Sequence, residues 1–109
     1  MQGEVWIVDL DPAVGHEQGG VRPALIVSGD RFNRSPSGLV TIAPVTSTDR
    51  GLIAHVRVDP PEGGLVKTSF IMTDQVRAIS RLRLRKRLGV ISQATRAEVE
   101  VRIRIHLAL

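Results

Sequence analysis

The residues best suited to chemistry lie in a glycine-rich stretch at positions 15–23. Gly19 and Gly20 can adopt positive φ angles, which lets the backbone approach a ligand closely. Arg22 follows them, and its planar guanidinium offers a fork of donors that fits two oxygens of one phosphate. Pro23 then restricts the chain direction just before an apolar stretch begins. The stretch therefore predicts a loop that can hold a phosphate group.

Arg22 has a functional and a structural interpretation. Its side chain stays protonated in water, so it is a poor proton donor and is better suited to stabilise the charge of a pentavalent phosphate. Alternatively, Arg22 caps backbone carbonyls of its own hairpin, because glycine-rich hairpins are common without any ligand. The loop sequence alone favours neither interpretation.

Two hydroxyl residues, Thr46 and Ser47, end a second apolar stretch, where a barrel strand would reach the rim. Their hydroxyl groups can hydrogen-bond to phosphate oxygens. In a turn, however, the same hydroxyls commonly bond to the nearby backbone, and the local sequence favours that structural interpretation.

His16 and Glu17 are the titratable side chains inside the glycine-rich stretch. Near a phosphate, a histidine can act as general acid or base, and a carboxylate can accept the proton of a ribose hydroxyl. A solvated His16 and a Glu17 that pairs with Arg22 are the simpler interpretations. The other histidines offer no obvious partner, because His55 is expected in the polar register of an exposed strand and His106 lies near the C-terminus.

Composition restricts the possible partners. The chain has 109 residues, enough for one domain with its own core, and we expect a single domain at 1–109. Its formal net charge of +4 favours polyanionic partners such as nucleic acid. With no cysteine and three scattered histidines, no metal site and no cofactor are expected. One Trp, two Phe and no Tyr argue against a base-stacking platform.

Basic residues are concentrated between positions 77 and 87. They are Arg77, Arg81, Arg83, Arg85, Lys86 and Arg87. This basic run could form a track for a nucleic-acid backbone or an ordinary solvated face. The sequence supports the two interpretations equally.

The sequence has no pattern for export or membrane insertion. The N-terminus lacks the basic and apolar segments of a signal peptide, and no stretch approaches the roughly 20 apolar residues that cross a bilayer. We therefore expect a cytoplasmic protein without a membrane partner.

Short apolar stretches rich in β-branched residues alternate with turn signals such as Asp11-Pro12 and Gly63-Gly64. Such a pattern is typical of a small antiparallel barrel. The stretches predict strands at 5–10, 24–27, 39–45, 54–58, 65–72 and 75–79, and one helical turn at 30–33.

The last third of the chain is ambiguous. Residues 81–85 and 99–105 alternate between charged and apolar side chains with a period of two, which favours strands, and locally the strand is favoured throughout 99–107. Thr95 followed by Glu98 fits a capping box, and no Gly or Pro occurs after Gly89, so a terminal helix is also permitted.

Five motifs together resemble the MazF/PemK family of toxin endoribonucleases over almost the whole chain. They are Val-Trp-Ile-Val-Asp-Leu-Asp-Pro at 5–12, Glu-Gln-Gly-Gly-Val-Arg-Pro at 17–23, Ala-Pro-Val-Thr-Ser at 43–47, Leu-Val-Lys-Thr-Ser at 65–69 and Asp-Gln-Val at 74–76. The resemblance implies a mainly β fold, an SH3-like barrel of the MazF/CcdB type, that works as a homodimer. It also implies a C-terminal helix, which we predict at 95–107 against the alternation.

The resemblance also implies an activity. Members of the family cut single-stranded RNA, chiefly messenger RNA, at short sequence motifs without a metal ion, and an acidic MazE-like antitoxin neutralises each toxin. The ribose 2′-OH attacks its own 3′-phosphate and leaves 2′,3′-cyclic phosphate and 5′-OH ends. By position, Arg22 and Thr46 correspond to the catalytic pair. The residues implied to contact RNA are Glu17, Gln18, Gly19, Gly20, Ser47, Lys67, Ser69 and Gln75.

Three features depart from the family pattern. His16 stands where the family often has a small or polar residue, Gly29 stands where an Asn often follows the second strand, and the basic run is unusually dense. None of them removes a catalytic position, so they affect only the expected RNA sequence preference.

Two other functions fit the same fold. One is a non-catalytic, gyrase-poisoning toxin of the CcdB type, and the other is a small RNA-binding barrel without enzymatic activity. The combination of Arg22 with Thr46 argues against the first, and the scarcity of aromatic residues argues against the second. Because one fold can carry unrelated functions, the fold alone does not separate these possibilities.

Overall fold

Seven antiparallel strands and a C-terminal helix make up most of the fold. A computed structural model describes residues 1–109. In chain order the elements are β1 (Glu4–Asp9), β2 (Val21–Ile26), α1 (Asp30–Asn33), β3 (Leu39–Thr46), β4 (His55–Val58), β5 (Ser69–Met72), β6 (Arg77–Ser80), β7 (Leu84–Val90) and α2 (Gln93–Leu107). Short 3-10 turns occur at Glu62–Gly64, Thr73–Gln75 and Arg81–Arg83. The predictions of a mainly β fold and of a terminal helix are confirmed.

Strand β3 connects the two halves of the sheet. The strand order is β4-β5-β3-β2-β1-β7, and β6 pairs with β3 outside this path. The first half of β3, residues 39–42, pairs with β6, whereas Val45 and Thr46 pair with β5. Because β3 exchanges one neighbour for another along its length, the sheet bends around its own core, as a small barrel requires.

The buried side chains form two clusters on opposite faces of the central strands. In β2, Ala24 and Ile26 belong to one cluster, and Leu25 between them belongs to the other. Successive side chains of a strand point to opposite faces, so a strand covered on both sides is apolar throughout. This explains why 24–27 is a continuous apolar stretch rather than an alternating one.

The strand boundaries differ from the predicted ones where pairing decides them. β2 begins at Val21, three residues earlier than predicted, because Val21 pairs with Asp9 of β1. β5 begins only at Ser69, since its pairing with β4 ends at Val58 opposite Ser69. Residues 65–68, predicted as strand, therefore form a loop instead.

A contact between two backbones joins the 62–64 turn to β7. Gly63 and Gly64 have positive φ angles of 68° and 72°. A Cβ atom on Gly64 would lie 2.1 Å from the carbonyl oxygen of Leu88, and one on Gly89 would lie 2.8 Å from the carbonyl carbon of Gly63. Only glycine fits such an approach. This contact fixes the start of the loop that leads from the turn to β5.

Helix α2 begins at a different cap from the predicted one. Ser92 is the N-cap, and its hydroxyl accepts a hydrogen bond of 3.1 Å from the backbone N–H of Thr95. The prediction of Thr95 as the capping residue is wrong, because Thr95 occupies the third position of the helix. Val99 is buried while Val101 is about half exposed, at 4% and 51%, as a helix requires and an alternating strand does not.

The alternation at 81–85 is also broken by a cap. The Ser80 hydroxyl accepts a hydrogen bond of 3.1 Å from the backbone N–H of Leu82, which starts a 3-10 turn at Arg81. Strand β7 therefore begins at Leu84 rather than at Arg81.

No helix of the protein has the length and apolar character needed to span a bilayer.

Candidate active site

The register of the sheet brings Arg22 and Thr46 together. In the pairing of β2 with β3, Ala24 lies opposite Pro44. Continuing this register by two residues places Arg22 opposite Thr46, with both side chains on the same face. The two residues that the resemblance pairs as catalytic therefore meet across one rim of the sheet, although 24 positions separate them in sequence.

An open groove of about 400 Å³ lies at this rim. Half of its ten lining residues are among the predicted site residues, namely Arg22, Thr46, Ser47, Lys67 and Ser69. The other five are Pro23, Val45, Thr48, Leu65 and Val66. Arg22 and Lys67 are the charged residues of the lining, so the groove is cationic and suits a phosphate backbone.

Arg22 uses one of its donors within the chain. Its Nε donates a 2.9 Å hydrogen bond to the carbonyl oxygen of Gly19. A guanidinium carries five N–H donors, so the four on the two terminal nitrogens stay free for a ligand. The structural and the functional interpretations of Arg22 therefore hold together, because the bond to Gly19 orients the side chain whose free end lines the groove.

Thr46 also combines both interpretations. Its Oγ1 accepts a 3.2 Å hydrogen bond from the backbone N–H of Thr48, which is the local turn bond that the sequence favours. An accepted bond leaves the hydroxyl proton free to donate. Thr46 is buried, so its hydroxyl is held in place by the surrounding strands. It can therefore donate to a phosphate oxygen bound beside Arg22.

Lys67, Ser69 and Thr48 contribute unequally to the groove. Ser69 donates its hydroxyl proton to the carbonyl of Lys67 at 2.8 Å, which orders the loop rather than leaving a donor for a ligand. The Lys67 ammonium is exposed and has no ion pair in the chain. Sequence reasoning missed Thr48, although a third hydroxyl residue directly after Thr46 and Ser47 was a usable signal.

Gln18 and Gln75 lie in a second groove of about 270 Å³, away from Arg22 and Thr46. Its remaining lining residues are His16, Arg50, Leu52, His55, Met72 and Asp74. Glu17 pairs with Arg77 at 3.2 Å instead of the expected Arg22. Five of the eight predicted RNA-contacting residues thus divide between two grooves, and Glu17, Gly19 and Gly20 line neither.

The prediction that His55 is exposed is wrong. Its side chain is only 4% exposed, and its Nε2 lies 3.2 Å from Oδ1 of Asp74. The Thr73–Gln75 turn follows β5 and folds over the end of β4, which covers the imidazole. Arg57, on the same face of β4, is exposed, so the alternation of the strand correctly marked this face as polar. Only the turn covers His55 at the start of the strand, and the local sequence does not show that contact.

The basic run serves mainly to join elements. Arg81 donates to the carbonyl of Asn33, and Arg83 donates to the carbonyls of Asp9 and Asp11. Carboxylates pair with the others: Glu17 with Arg77, Asp9 with Arg85 and Glu4 with Arg87. Lys86 alone has no partner in the chain. Most of the basic run is therefore neither a free phosphate track nor a simply solvated face, because its side chains bond to carbonyls and carboxylates of other elements.

Comparison with known proteins identifies the family. The model of the family described as PemK-like, MazF-like toxin of type II toxin-antitoxin system matches residues 1–107. The chain belongs to this family. The resemblance carried by the five sequence motifs is thereby confirmed.

Curated relatives of this MazF-like toxin carry enzyme names. The chain is 35% identical over 109 residues to Endoribonuclease EndoA of Bacillus subtilis, covering 99% of this chain and 94% of the relative. It is also 35% identical over 113 residues to Endoribonuclease MazF9 of Mycobacterium tuberculosis, covering 99% of this chain and 96% of that protein. The likeness extends over nearly the full length of both chains rather than over a shared segment.

Solved structures agree with the fold of the MazF-like chain. MazF from Deinococcus radiodurans superposes with a TM-score of 0.87 at 30% identity, covering 98% of this chain and 94% of that one. An endoribonuclease from a mycobacterial species, solved in complex with its cognate antitoxin, superposes with a TM-score of 0.84 at 26% identity, covering 100% and 95%. The bent sheet and the terminal helix are therefore features of the family.

Proposed function

We propose that this MazF-like toxin is an endoribonuclease that cuts single-stranded RNA, chiefly messenger RNA, at short sequence motifs. The observation that carries the proposal is the meeting of Arg22 and Thr46 in one cationic groove, each with unused donors. The enzyme names of the full-length relatives support it. RNA of this kind is present in the cytoplasm, which is where we propose that the toxin acts.

The reaction uses a nucleophile that RNA itself provides. The 2′-oxygen attacks the adjacent phosphorus, its proton is removed, the bond from phosphorus to the 5′-oxygen breaks, and that oxygen takes up a proton. The products are a 2′,3′-cyclic phosphate and a 5′-OH end, and no metal ion takes part. Arg22 neutralises the charge of the phosphorane and assists proton transfer, while Thr46 donates a hydrogen bond to a phosphate oxygen.

The remaining predicted residues divide between RNA contact and support of the loops that form the site. Ser47, Lys67 and Ser69 belong to the groove of Arg22, and Gln18 and Gln75 belong to the second groove. Glu17, Gly19 and Gly20 line neither groove and belong to the loop between β1 and β2. An RNA strand that follows both grooves would pass the loop, and the residues in the second groove would then influence which bases are accepted.

The first test is cleavage of RNA in the presence of EDTA. We expect the purified protein to cut single-stranded RNA and to leave cyclic phosphate ends, which sequencing of the 5′-OH ends would locate. An oligonucleotide with a 2′-deoxyribose at the cut position serves as control and should stay intact, because it lacks the nucleophile. If the unmodified RNA also stayed intact, the result would contradict the proposal and favour a non-catalytic, CcdB-like or RNA-binding protein.

A second prediction concerns Lys67. We expect Lys67→Gln to raise KM for RNA by roughly 3- to 10-fold with little change in kcat, because Lys67 contacts a phosphate but not the reacting atoms. The slope of log KM against log salt should fall by about 0.7, the value for one phosphate contact on a single strand. Steady-state kinetics at several salt concentrations measure both quantities.

Lys86→Gln provides the matched control for Lys67→Gln. Lys86 is also exposed and has no ion pair, but it lies on β7 and does not line the groove. Its replacement removes the same charge at a distance from the proposed RNA path. Equal salt slopes in the two variants would show that Lys67 acts only through the net charge of the protein.

The partners follow from the family and from the charge of the groove. We propose that the chain, as one domain at 1–109, forms a homodimer and is neutralised by an acidic, MazE-like antitoxin. The solved mycobacterial relative in complex with its cognate antitoxin supports this partner. An acidic peptide that folds on binding would compete with RNA for a cationic groove, and their association would depend on salt.

A further inference from the structure

One peptide unit is held from both sides in the loop between β1 and β2. The carbonyl oxygen of Gly19 accepts the bond from Nε of Arg22, at 2.9 Å. The N–H of Gly20 donates to Oδ1 of Asp11, at 2.7 Å. These two groups belong to the same planar trans peptide, in which the C=O and the N–H point in opposite directions. The side chains of Asp11 and Arg22 therefore hydrogen-bond to the same planar peptide group from opposite sides.

Position 19, which packs against the Asp11 side chain, has no room for a side chain. A Cβ atom on Gly19 would lie 2.9 Å from Oδ1 of Asp11 and 2.8 Å from Cβ of Ala13. Gly20 has a φ angle of 78°, which side chains rarely adopt. The carboxylate thus packs against a bare α-carbon, and the two glycines are required to bring the peptide between Asp11 and Arg22.

The side chain of Arg83 hydrogen-bonds to the backbone of Asp11 and of its neighbour Asp9. It donates hydrogen bonds of 2.5 Å and 3.1 Å to the carbonyl oxygens of Asp11 and Asp9. The Asp11 N–H donates to Oδ1 of Asp9 at 3.0 Å, so both backbone groups of Asp11 are bonded. A member of the basic run is thus connected to the candidate active site through Asp11.

We propose that Asp11 is a positioning residue for Arg22, and that Arg83 in turn fixes the backbone of Asp11 through its hydrogen bonds. The proposal rests on the proposed ribonuclease function. By accepting the Gly20 N–H, the Asp11 side-chain oxygen fixes the orientation of the Gly19–Gly20 peptide, so that its carbonyl is directed at Nε of Arg22. With Nε fixed, the guanidinium plane is fixed, and its free terminal nitrogens point at the groove before RNA binds. Asp11 itself touches neither substrate nor reacting atoms.

The first test compares Asp11→Ala with Asp11→Asn. We expect Asp11→Ala to lower kcat roughly 10- to 100-fold, the effect of a misplaced catalytic group, with KM changed less than about 3-fold. Asp11→Asn keeps an oxygen that can accept from the Gly20 N–H, so its kcat should stay within about 5-fold of the unsubstituted protein. Arg83→Gln should lower kcat by an intermediate factor.

Two controls remove similar bonds elsewhere. Asp30 accepts a 2.9 Å bond from the backbone N–H of Gln2, and Arg81 donates to the Asn33 carbonyl. Asp30→Ala and Arg81→Gln should leave kcat unchanged. A loss in these controls equal to that in Asp11→Ala would overturn the proposal, because it would show general destabilisation. A loss in Asp11→Asn as large as in Asp11→Ala would also overturn it.

A double substitution tests whether Asp11 acts through Arg22. Lysine has no Nε–H to bond with Gly19, so in an Arg22→Lys background Asp11→Ala should cause no further loss of kcat. Independent, multiplying losses would contradict the proposed route. The residual activity of Arg22→Lys is measurable by single-turnover cleavage with excess protein.

A readout without RNA separates this proposal from the proposed function. The Nε–H proton of Arg22, observed by nitrogen-15 NMR, should exchange slowly with water because it is hydrogen-bonded. Asp11→Ala should speed this exchange about 10-fold or more, and Asp30→Ala should not change it. Unchanged exchange in Asp11→Ala would overturn the positioning role even if the protein cuts RNA. Faster exchange would support the role even if no RNA is cut.

Discussion

We expect Arg22→Ala to lower the rate constant of RNA cleavage about 1000-fold or more. Removing one preorganised donor from a charge-stabilising site costs 10²–10³-fold, and arginines that neutralise a reacting phosphate contribute about 10³–10⁵-fold. The free energy of unfolding should change by less than about 1 kcal/mol, because Arg22 lies half-buried at a rim, its side chain bonds only to Gly19, and its backbone pairing in the sheet is kept. Single-turnover cleavage and urea unfolding measure the two effects.

Two further sets of variants, Arg22→Lys and substitutions of Thr46, provide comparisons for the loss of rate in Arg22→Ala. Arg22→Lys keeps the charge but loses the fork of donors, so it should restore only part of the rate. Thr46→Ser keeps a hydroxyl and should retain far more activity than Thr46→Ala, whose loss we place at roughly 100-fold. If Arg22→Ala turned RNA over at the unsubstituted rate, the catalytic assignment and the proposed mechanism would both be wrong.

The largest expected effect on stability belongs to Gly64. Gly64→Ala should lower the free energy of unfolding by about 3–5 kcal/mol, because the new Cβ would lie 2.1 Å from the Leu88 carbonyl oxygen at a φ angle of 72°. The backbones of the turn and of β7 would have to separate. Urea unfolding followed by circular dichroism measures the loss.

Gly51→Ala separates backbone strain from the steric overlap. Gly51 has a φ angle of 65°, close to that of Gly64, but a Cβ there would meet nothing within 4 Å. Its substitution should therefore cost only about 1 kcal/mol, the cost of the left-handed conformation. Similar losses in the two variants would indicate that the 62–64 turn can move away from β7 without penalty.

The sequence made Arg22 and Thr46 candidates, but local sequence alone did not decide their roles. Arg22 follows two glycines, and Thr46 ends an apolar strand, so both stood out before any pairing was known. The family motifs then connected them. That they lie opposite each other, however, depends on the register of β2 with β3, which is set by burial along whole strands and not by local sequence.

Contacts between parts of the chain that are distant in sequence explain most of the features that the sequence did not predict. His55 is buried because a turn from elsewhere in the chain lies over it, and Arg83 bonds to carbonyls more than 70 positions away. The C-terminal alternation misled for a related reason, since Val99 packs into the core while Val101 faces outward. A period-two pattern over a few residues does not show which side chains a neighbouring element will cover.

The loop that follows β1 has two parts with different freedom to change. Its base is tied by Asp11, Gly20 and the Leu10 N–H, which donates to the Gly20 carbonyl at 2.9 Å. Its tip carries His16 and Gln18, which line the second groove and touch none of these bonds. Mutations at the tip can therefore accumulate without moving Arg22. Because the second groove is proposed to influence which bases are accepted, such substitutions are expected to change the target sequence of this protein while the reaction stays the same.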